Sequence, residues 1–376
     1  MKFCAPIFPM GTKGGIKEGL AKIQMPAGVF FNPHMQLCRD IFSLSIGALP
    51  EKKLSLCDCF AASGARGIRY KLENKNISKL SLVDWSLPAA DACKKNIALN
   101  KLKNSRAYKS RMETFLAKRP SDFLEIDPFG TPAPYLHPAF ASFSNAYSKS
   151  AYLSATATDT AVLCGAHSDA CYKIYQCSPL NCEFCHENAI RILISKIART
   201  AADFEYGISP LFSFSHRHYV KVLLRVQKGA AFAVSSIKTL GYVSYCPKCL
   251  YREWAKFPTK KTCACGTILL HSGPMWLGPL WEKGHVQKML QLLPARPYLQ
   301  QAQLQKILCT VESELSLPPF YYDAHALCKK LKIGAHSLEA LQNSLAQKGF
   351  CFSRTHFLPT GFRTDAPLEE IKKALL

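Results

Sequence analysis

A chain of 376 residues, 48% hydrophobic and 20% charged, is long enough for two domains and too apolar to stay disordered. Its 48 Lys and Arg against 26 Asp and Glu give a formal charge of +22, which argues against an acidic partner-free surface and for a polyanionic partner, although a basic host proteome gives the same sign. Seventeen cysteines are an odd number in a long chain with no apolar opening segment and no bilayer-length run, so a reducing cytoplasm with mostly free thiols is expected, not a secreted disulfide scaffold or a membrane protein.

In chain order, residues 1–50 read as a preamble. Lys13-Gly14-Gly15-Ile16-Lys17-Glu18-Gly19 is polar and expected to be flexible, and residues 41–49 predict a helix ending before Pro50. An α/β pattern comes next. Residues 54–60, 80–84, 122–127 and 151–156 are short apolar strand candidates, separated by helical or loop stretches such as 87–99. That alternation predicts a mostly parallel sheet covered on both faces. Residues 218–226 and 231–237 read as a late antiparallel pair around Gly229. Cysteines and aromatics cluster after about residue 241, which divides the chain into 1–240 and 241–376. There is no internal repeat and no low-complexity tract.

Asp58-Cys59-Phe60-Ala61-Ala62-Ser63-Gly64-Ala65-Arg66-Gly67 is a strand running into a small-residue loop and then a helix. Such a turn lets backbone amides approach a ligand, with Gly64 and Gly67 where a Cβ would obstruct it. A plain structural turn has the same composition. Asp84 ends the next strand, ~20 residues on, where a carboxylate can take the hydroxyls of an adenosine ribose. Trp85 can pack on adenine or on the core. No Gly-x-Gly-x-x-Gly is present, which disfavours a dinucleotide fold.

Asp127-Pro128-Phe129-Gly130 follows an apolar strand and so lies at a carboxyl edge, where open sheets bind ligands. An exocyclic amine on a base is a weak nucleophile because its lone pair is delocalised into the ring. A carboxylate such as Asp127 and a nearby carbonyl can accept its hydrogens and favour attack on an electrophilic methyl. Pro128 stiffens the chain and Phe129 offers a flat surface for a base. A simple tight turn is the alternative.

Cys246-Pro247-Lys248-Cys249 and Cys263-Ala264-Cys265-Gly266 are two thiol pairs able to close a tetrahedral zinc site. Four ordinary free thiols are the alternative. Between them Arg252, Lys256, Lys260 and Lys261 alternate with Tyr251 and Trp254, a composition suited to RNA backbone and base contacts or to a solvated edge. Cys177, Cys182 and Cys185 also contain Cys-x-x-Cys, for which helix packing is the expectation and metal binding or a disulfide the alternatives.

The Asp127 motif is similar to that of amino-group N-methyltransferases, where an acid or amide precedes Pro-Pro and an aromatic. The Pro-Phe-Gly form resembles the tRNA (guanine-26, N2)-dimethyltransferase family. Further motifs match that family in order: Asn32-Pro33, Arg39-Asp40, Ser63-Gly64-Ala65-Arg66-Gly67-Ile68-Arg69, Thr131-Pro132, Thr158-Asp159 through Cys164-Gly165, Cys171, His186-Glu187 with Arg191-Ile192-Leu193, Gly273-Pro274-Met275-Trp276-Leu277-Gly278, and His356 with Thr364-Asp365-Ala366-Pro367.

The resemblance implies a class I methyltransferase domain followed by a family-specific α/β domain. It implies one and then a second methyl transferred from S-adenosylmethionine to N2 of guanine 26, or also 27, of tRNA. Arg39 would bind the methionine end of the cofactor, Arg66 would line that pocket with Asp58, Asp84 would take the ribose, and Asp127 the guanine amine. The family's acidic residue followed by Ala after the third strand is replaced by Ser110-Arg111-Met112-Glu113, so either Glu113 substitutes as the adenine contact or backbone holds the adenine amine. The family's Cys-x-Arg-x-Tyr-Gly reads Cys171-Tyr172-Lys173-Ile174-Tyr175-Gln176. His186-Glu187 is read as a helix-packing pair. No obligate protein partner is evident. The alternatives are an RNA-binding protein that has lost catalysis, which would have no use for Asp58, Asp84 and Asp127 together, and an N-methyltransferase for another nucleic-acid amine.

Overall fold

The computed structural model describes residues 15–144 and 150–376, so Lys13 and Gly14 of the expected flexible stretch lie outside it. The rest of that stretch is built into regular structure. β1 (Ile16–Glu18) and β2 (Ala21–Ile23) form an antiparallel hairpin, turning at Gly19 with φ +57°. The lysines face out while Glu18, Ala21 and Ile23 are buried, so the alternation is that of a strand pair and the flexible reading of 15–19 is corrected. Helix α1 (Gln36–Gly47) starts earlier than expected and carries Arg39 and Asp40 inward.

Strands and helices then alternate: β3 (Leu54–Asp58), α2 (Ala65–Glu73), β4 (Ile77–Asp84), α3 (Leu87–Leu99), β5 (Ser105–Lys109), α4 (Met112–Lys118), β6 (Phe123–Ile126), α5 (Ala133–Ser144) and β7 (Ser150–Ala157). Helices α6 (Thr160–Leu163), α7 (Ser168–Tyr175) and α8 (Cys185–Ala202) lead to β8 (Tyr206–His216), β9 (Tyr219–Lys228) and α9 (Ala230–Lys238). The expected antiparallel pair is real, but its members are β8 and β9. Residues 231–237 are helical instead: once β8 and β7 flank β9, no edge of it is left for them.

These seven strands form one sheet in the order β5-β4-β3-β6-β7-β9-β8. β3 through β7 are mutually parallel, and β9 is antiparallel to both neighbours. The chain leaves β3 toward β4 and returns on the other side at β6. The carboxyl ends of β3, β4 and β6 therefore meet at a topological switch point, where an open sheet leaves a crevice. Gly64, at φ +77°, and Gly67 set α2 tightly on the sheet: an added Cβ would stand 2.9 Å and 2.5 Å from the Leu82 side chain. Their need for glycine is helix-to-sheet packing, which corrects the expectation that Cβ atoms there would obstruct a ligand.

Beyond α9 come β10 (Leu240–Tyr245), β11 (Arg252–Ala255), β12 (Leu270–Trp276), α10 (Lys283–Leu292), α11 (Gln301–Glu314), β13 (Tyr322–Asp323), α12 (Ala324–Leu331), α13 (Leu338–Gln347), β14 (Phe352–Arg354), β15 (Gly361–Thr364) and α14 (Leu368–Leu375). They build two small sheets, β11-β10-β12 and β13-β15-β14. One large buried apolar cluster runs from Ala21 to Leu375, so these sheets share a core with the first, and Cys246, Cys263 and Leu269 form a small second cluster. No helix among the described residues is long and apolar enough to cross a membrane.

Candidate active site

The crevice at the switch point is a cavity of about 210 Å³, lined among others by Arg39, Asp58, Arg66, Asp84, Trp85, Asp127, Pro128 and Phe129. A second cavity of about 270 Å³ shares Phe60, Asp84 and Trp85 with it and continues past Glu113. Residues scattered from 39 to 129 are thus brought to one place by strand ends and the first turns of two helices, α1 and α2.

Asp58 ends β3 fully buried. Burial pushes its carboxyl up to about 7; Arg66 offsets part of this, while Glu125 and Asp127 add like charge. Asp84 ends β4. Its two oxygens accept the backbone N–H groups of Ala62 and Ser86, both at 2.9 Å, which fixes the carboxylate at the mouth of the loop. Each oxygen keeps a further lone pair for a hydroxyl donor. Trp85 beside it is 73% exposed, which removes core packing as its role. Glu113, half-buried, lies 3.7 Å from Arg111.

Arg39 reaches the crevice from α1. Glu18 grips it with two bonds of 2.6 Å, and Asn32 offers its carbonyl at 3.1 Å. Burial works to raise Glu18, but Arg39 and Arg69 outweigh it and hold the carboxyl below its usual range.

Asp127 follows β6 directly and pairs with Arg66 from α2. Burial alone would raise its carboxyl; Arg66, then Lys221, win and hold it below the ordinary range. Behind it Glu125 pairs with Arg66 at 3.3 Å and with Lys221 of β9, whose ammonium also reaches Thr156 Oγ1 at 3.0 Å. The loop is pinned from β7's far end: Gly130 N–H donates to Thr158 Oγ1 at 2.8 Å, and Thr158 N–H to Gly130 O at 2.9 Å. Phe129 is 79% exposed and meets Phe30 edge-on, with centroids 4.8 Å apart.

Glu18, Glu125 and Lys221 were given no site role from sequence, and Thr158 was named only as part of a family motif. Glu125 and Lys221 had a signal: each is a charged residue flanked by apolar neighbours in a strand, and the two charges are opposite. Glu18 had none, because a short polar hairpin reads as a loop.

The four cysteines 246, 249, 263 and 265 converge, with all Sγ atoms within 4.8 Å of one another, a cluster able to hold a metal. The basic residues between them part ways. Arg252 is buried, donates to the carbonyls of Leu250, Phe320 and Tyr321, pairs with Glu183, and lies 3.9 Å over the Tyr322 ring. It cannot meet RNA without vacating that pocket, which corrects the expectation. Lys256 caps carbonyls at the end of α9, reaching Leu240 O at 3.1 Å, and Lys260 pairs with Glu253 at 2.8 Å. Both they and Lys261 are on the surface. Of the other cysteine group, Cys177 and Cys182 do not join a cluster of potential metal donors among the described residues; Cys185 does, with Cys164 and His186. Glu187 is a packing residue, bonded to Arg191 and Arg363.

The family model for N2,N2-dimethylguanosine tRNA methyltransferase matches residues 12–376. A tRNA (guanine(26)-N(2))-dimethyltransferase of Methanosarcina mazei is 38% identical over 388 residues, covering 96% of this chain and 98% of that protein. One from Methanobrevibacter smithii is 36% identical over 378 residues, covering 96% of each. The structure of Trm1 from Pyrococcus horikoshii with S-adenosyl-L-methionine superposes with a TM-score of 0.87 at 33% identity, over 96% of this chain and 99% of that one. The sheet is therefore that of a class I methyltransferase with an auxiliary domain, and the chain belongs to the N2,N2-dimethylguanosine tRNA methyltransferase family.

Proposed function

We propose that this protein methylates the exocyclic N2 of guanine 26 in tRNA, first once and then twice, using S-adenosylmethionine. The observation that carries the reading is Asp127, ionised by Arg66, on an exposed loop at the rim of a crevice that also holds Asp58 and Asp84. S-adenosylmethionine supplies a methyl group on a positively charged sulfur. The crevice fits it: Asp58 is a buried carboxylate whose burial outweighs the cation nearby, and a cationic ligand relieves that penalty. Arg39 suits the carboxylate of the methionine end and Asp84 the ribose hydroxyls. Trp85 and Glu113 flank the adjoining cavity, which suits adenine.

A guanine must leave its stack to reach this rim. Phe129 gives its ring a flat face. Asp127 accepts an N2 hydrogen, which concentrates the lone pair on nitrogen as it attacks. A carboxylate held this low is a weak base, so its part is to accept the hydrogen bond while the proton passes to water. After one transfer N2 still has one hydrogen for Asp127. After two it has none, so the residue that orients the amine loses its hold on the product.

Residues 241–376 are assigned to tRNA binding, with Lys256, Lys260 and Lys261 on the surface near the exposed Trp254 and Phe257. The four-cysteine cluster is assigned to structural zinc: Cys246, Cys249, Cys263 and Cys265 offer soft thiolates at the mutual spacing of a tetrahedral set. The free thiols fit a reducing cytoplasm.

The test incubates the protein with S-adenosylmethionine and unmodified tRNA bearing guanine at 26 and 27, followed by nuclease digestion and mass spectrometry. N2,N2-dimethylguanosine at 26 is expected. Methyl at 27 alone rejects the position, and methyl on another base rejects the substrate. Unmodified RNA, with cofactor binding verified, leaves only an RNA-binding protein.

A further inference from the structure

Outside the crevice, the sequence Cys182-Glu183-Phe184-Cys185-His186 comes back to a cysteine from another part of the chain. Cys164 closes α6, its N–H bonded to Thr160 O at 2.8 Å. The next residue, Gly165, has φ +93°, and a Cβ there would stand 2.7 Å from the backbone nitrogen of Asn181. That close seating of two backbones carries Cys164 to the amino end of α8, where Cys185 and His186 begin the helix.

The Sγ of Cys164, the Sγ of Cys185 and a ring nitrogen of His186 lie within 4.8 Å of one another, and Cys164 Sγ is 3.7 Å from His186 Nδ1. Two ligands of a tetrahedral zinc, with bonds of about 2.3 Å to sulfur and 2.0–2.1 Å to nitrogen, stand about 3.6–3.8 Å apart. The Cys164–His186 spacing matches that distance, and the three donor atoms are all close enough to share one ion. All three residues are half-buried, so solvent can reach the group and an ion can enter. Two thiolates and an imidazole are borderline-soft donors, suited to zinc and not to magnesium or calcium.

We propose that Cys164, Cys185 and His186 bind a zinc ion, in a second site separate from the four-cysteine cluster, with water in the fourth position. The ion ties the end of α6 to the start of α8. The segment just before α6 is the one that holds the substrate loop: Thr158 bonds Gly130, and Asp159 receives the Tyr175 hydroxyl at 2.9 Å, which in turn meets Thr131 Oγ1 at 2.8 Å. The site is thus a brace beside the reaction, not a participant in it.

The test measures zinc per chain in the full-length protein, purified without chelators, by inductively coupled plasma mass spectrometry. Cys164→Ser and His186→Ala should each lose one equivalent relative to wild type, His186→Cys should keep it, and Cys246→Ser with Cys249→Ser should lose a different one. This separates the two sites, since either can fail alone. Folded Cys164→Ser and His186→Ala proteins that retain wild-type zinc overturn the proposal. If those variants do not fold, differential alkylation of the wild type decides. Cys164 and Cys185 should resist iodoacetamide until a zinc chelator is added. Protection lifted by a reductant alone means a disulfide, and absence of protection means free thiols; both overturn it.

Discussion

Around Glu187, two guanidiniums and two backbone N–H groups close on one carboxylate. Arg191 donates at 2.7 and 2.9 Å, Arg363 at 2.9 Å, and the N–H groups of Phe320 and Tyr321 at 2.9 and 3.3 Å. Arg363 passes on to Glu314 at 2.6 Å, and Glu314 to His356 at 2.9 Å. Around Asp127 the ingredients are alike, with Arg66, Glu125 and Lys221, but the finish differs. Glu125 Oε2 and Arg66 Nε are buried with no hydrogen-bond partner among the described residues, and Asp58 nearby is raised where Glu187 is lowered to about 2. In the first network the Glu187 carboxylate is fully engaged by protein groups and joins α8 to loops and strands near the carboxyl end of the chain, and the unpartnered atom, His356 Nε2, lies at the far end beyond Glu314. The second leaves one acceptor, Glu125 Oε2, and one donor, Arg66 Nε, in reserve beside an open crevice. Buried charge is a fastener when its partners are all protein and a binding site when some are left for a ligand.

The largest effect should come from breaking the fastener. Glu187→Gln leaves Arg191 and Arg363 buried without their shared counter-ion, and a loss of about 3–5 kcal/mol is expected in denaturant unfolding. The pH dependence has a definite sign. A carboxyl lowered in the folded state stabilises fully above its ordinary value, 4.5, and loses that contribution as pH falls toward about 2. The gap between wild type and variant should therefore close in acid. A variant within about 1 kcal/mol of wild type at neutral pH would make the network decorative.

Asp127→Asn is the matching cut in the crevice. It keeps the shape and removes the charge. Asparagine still offers an acceptor oxygen but no charge, so the rate of methyl transfer should fall by about 10²–10³-fold, the size of one lost electrostatic contact to the reacting group, with cofactor affinity changed only a few-fold and unfolding within about 1 kcal/mol of wild type. Destabilisation as large as that of Glu187→Gln would erase the distinction between the two networks.

Sequence revealed the two regions unequally, for physical reasons. The strand ends that carry Asp58, Asp84 and Asp127 announced themselves because a buried parallel strand is a mostly apolar run and the aspartate that closes it marks the carboxyl edge. Arg66 and Arg39 came only through family resemblance, since a basic residue on a helix reads as solvated. Glu18 was hidden by a hairpin too short for periodicity, and Arg252 misled because its guanidinium lies among aromatic rings that a sequence cannot place. β8 was missed for the same kind of reason: Ser209, Pro210, Ser213 and Ser215 interrupt its apolar pattern, while the stretch after Gly229, rich in Ala and Val, imitates a strand. Of the Glu187 network, sequence showed Glu187, Arg191 and His356 inside family motifs, but neither Glu314, Phe320 and Arg363 nor the network itself. Phe320 and Arg363 lie 133 and 176 positions from Glu187, and contacts of that span leave no local trace.

The smallest of the expected effects concerns Asp58, and it tests whether the reserve in the crevice is meant for a cation. With burial raising its carboxyl to about 7, ionising Asp58 in the ligand-free protein costs stability; that cost is complete above about pH 7 and is relieved as pH falls toward the ordinary value of 3.8. A positively charged ligand beside it must pull the carboxyl back down. Between the two values, binding then releases a proton, so the affinity for S-adenosylmethionine should weaken as pH falls below 7, by up to about tenfold per unit. Isothermal calorimetry at about pH 6.5, in buffers of different ionisation enthalpy, should show the release directly. Asp58→Asn should abolish it and weaken binding at about pH 8 by about 10–100-fold, the loss of one charge-assisted contact. A binding heat independent of buffer would place the cofactor's cationic groups away from Asp58. The raised carboxyl would then be a strain of the fold, as closed to ligands as Glu187.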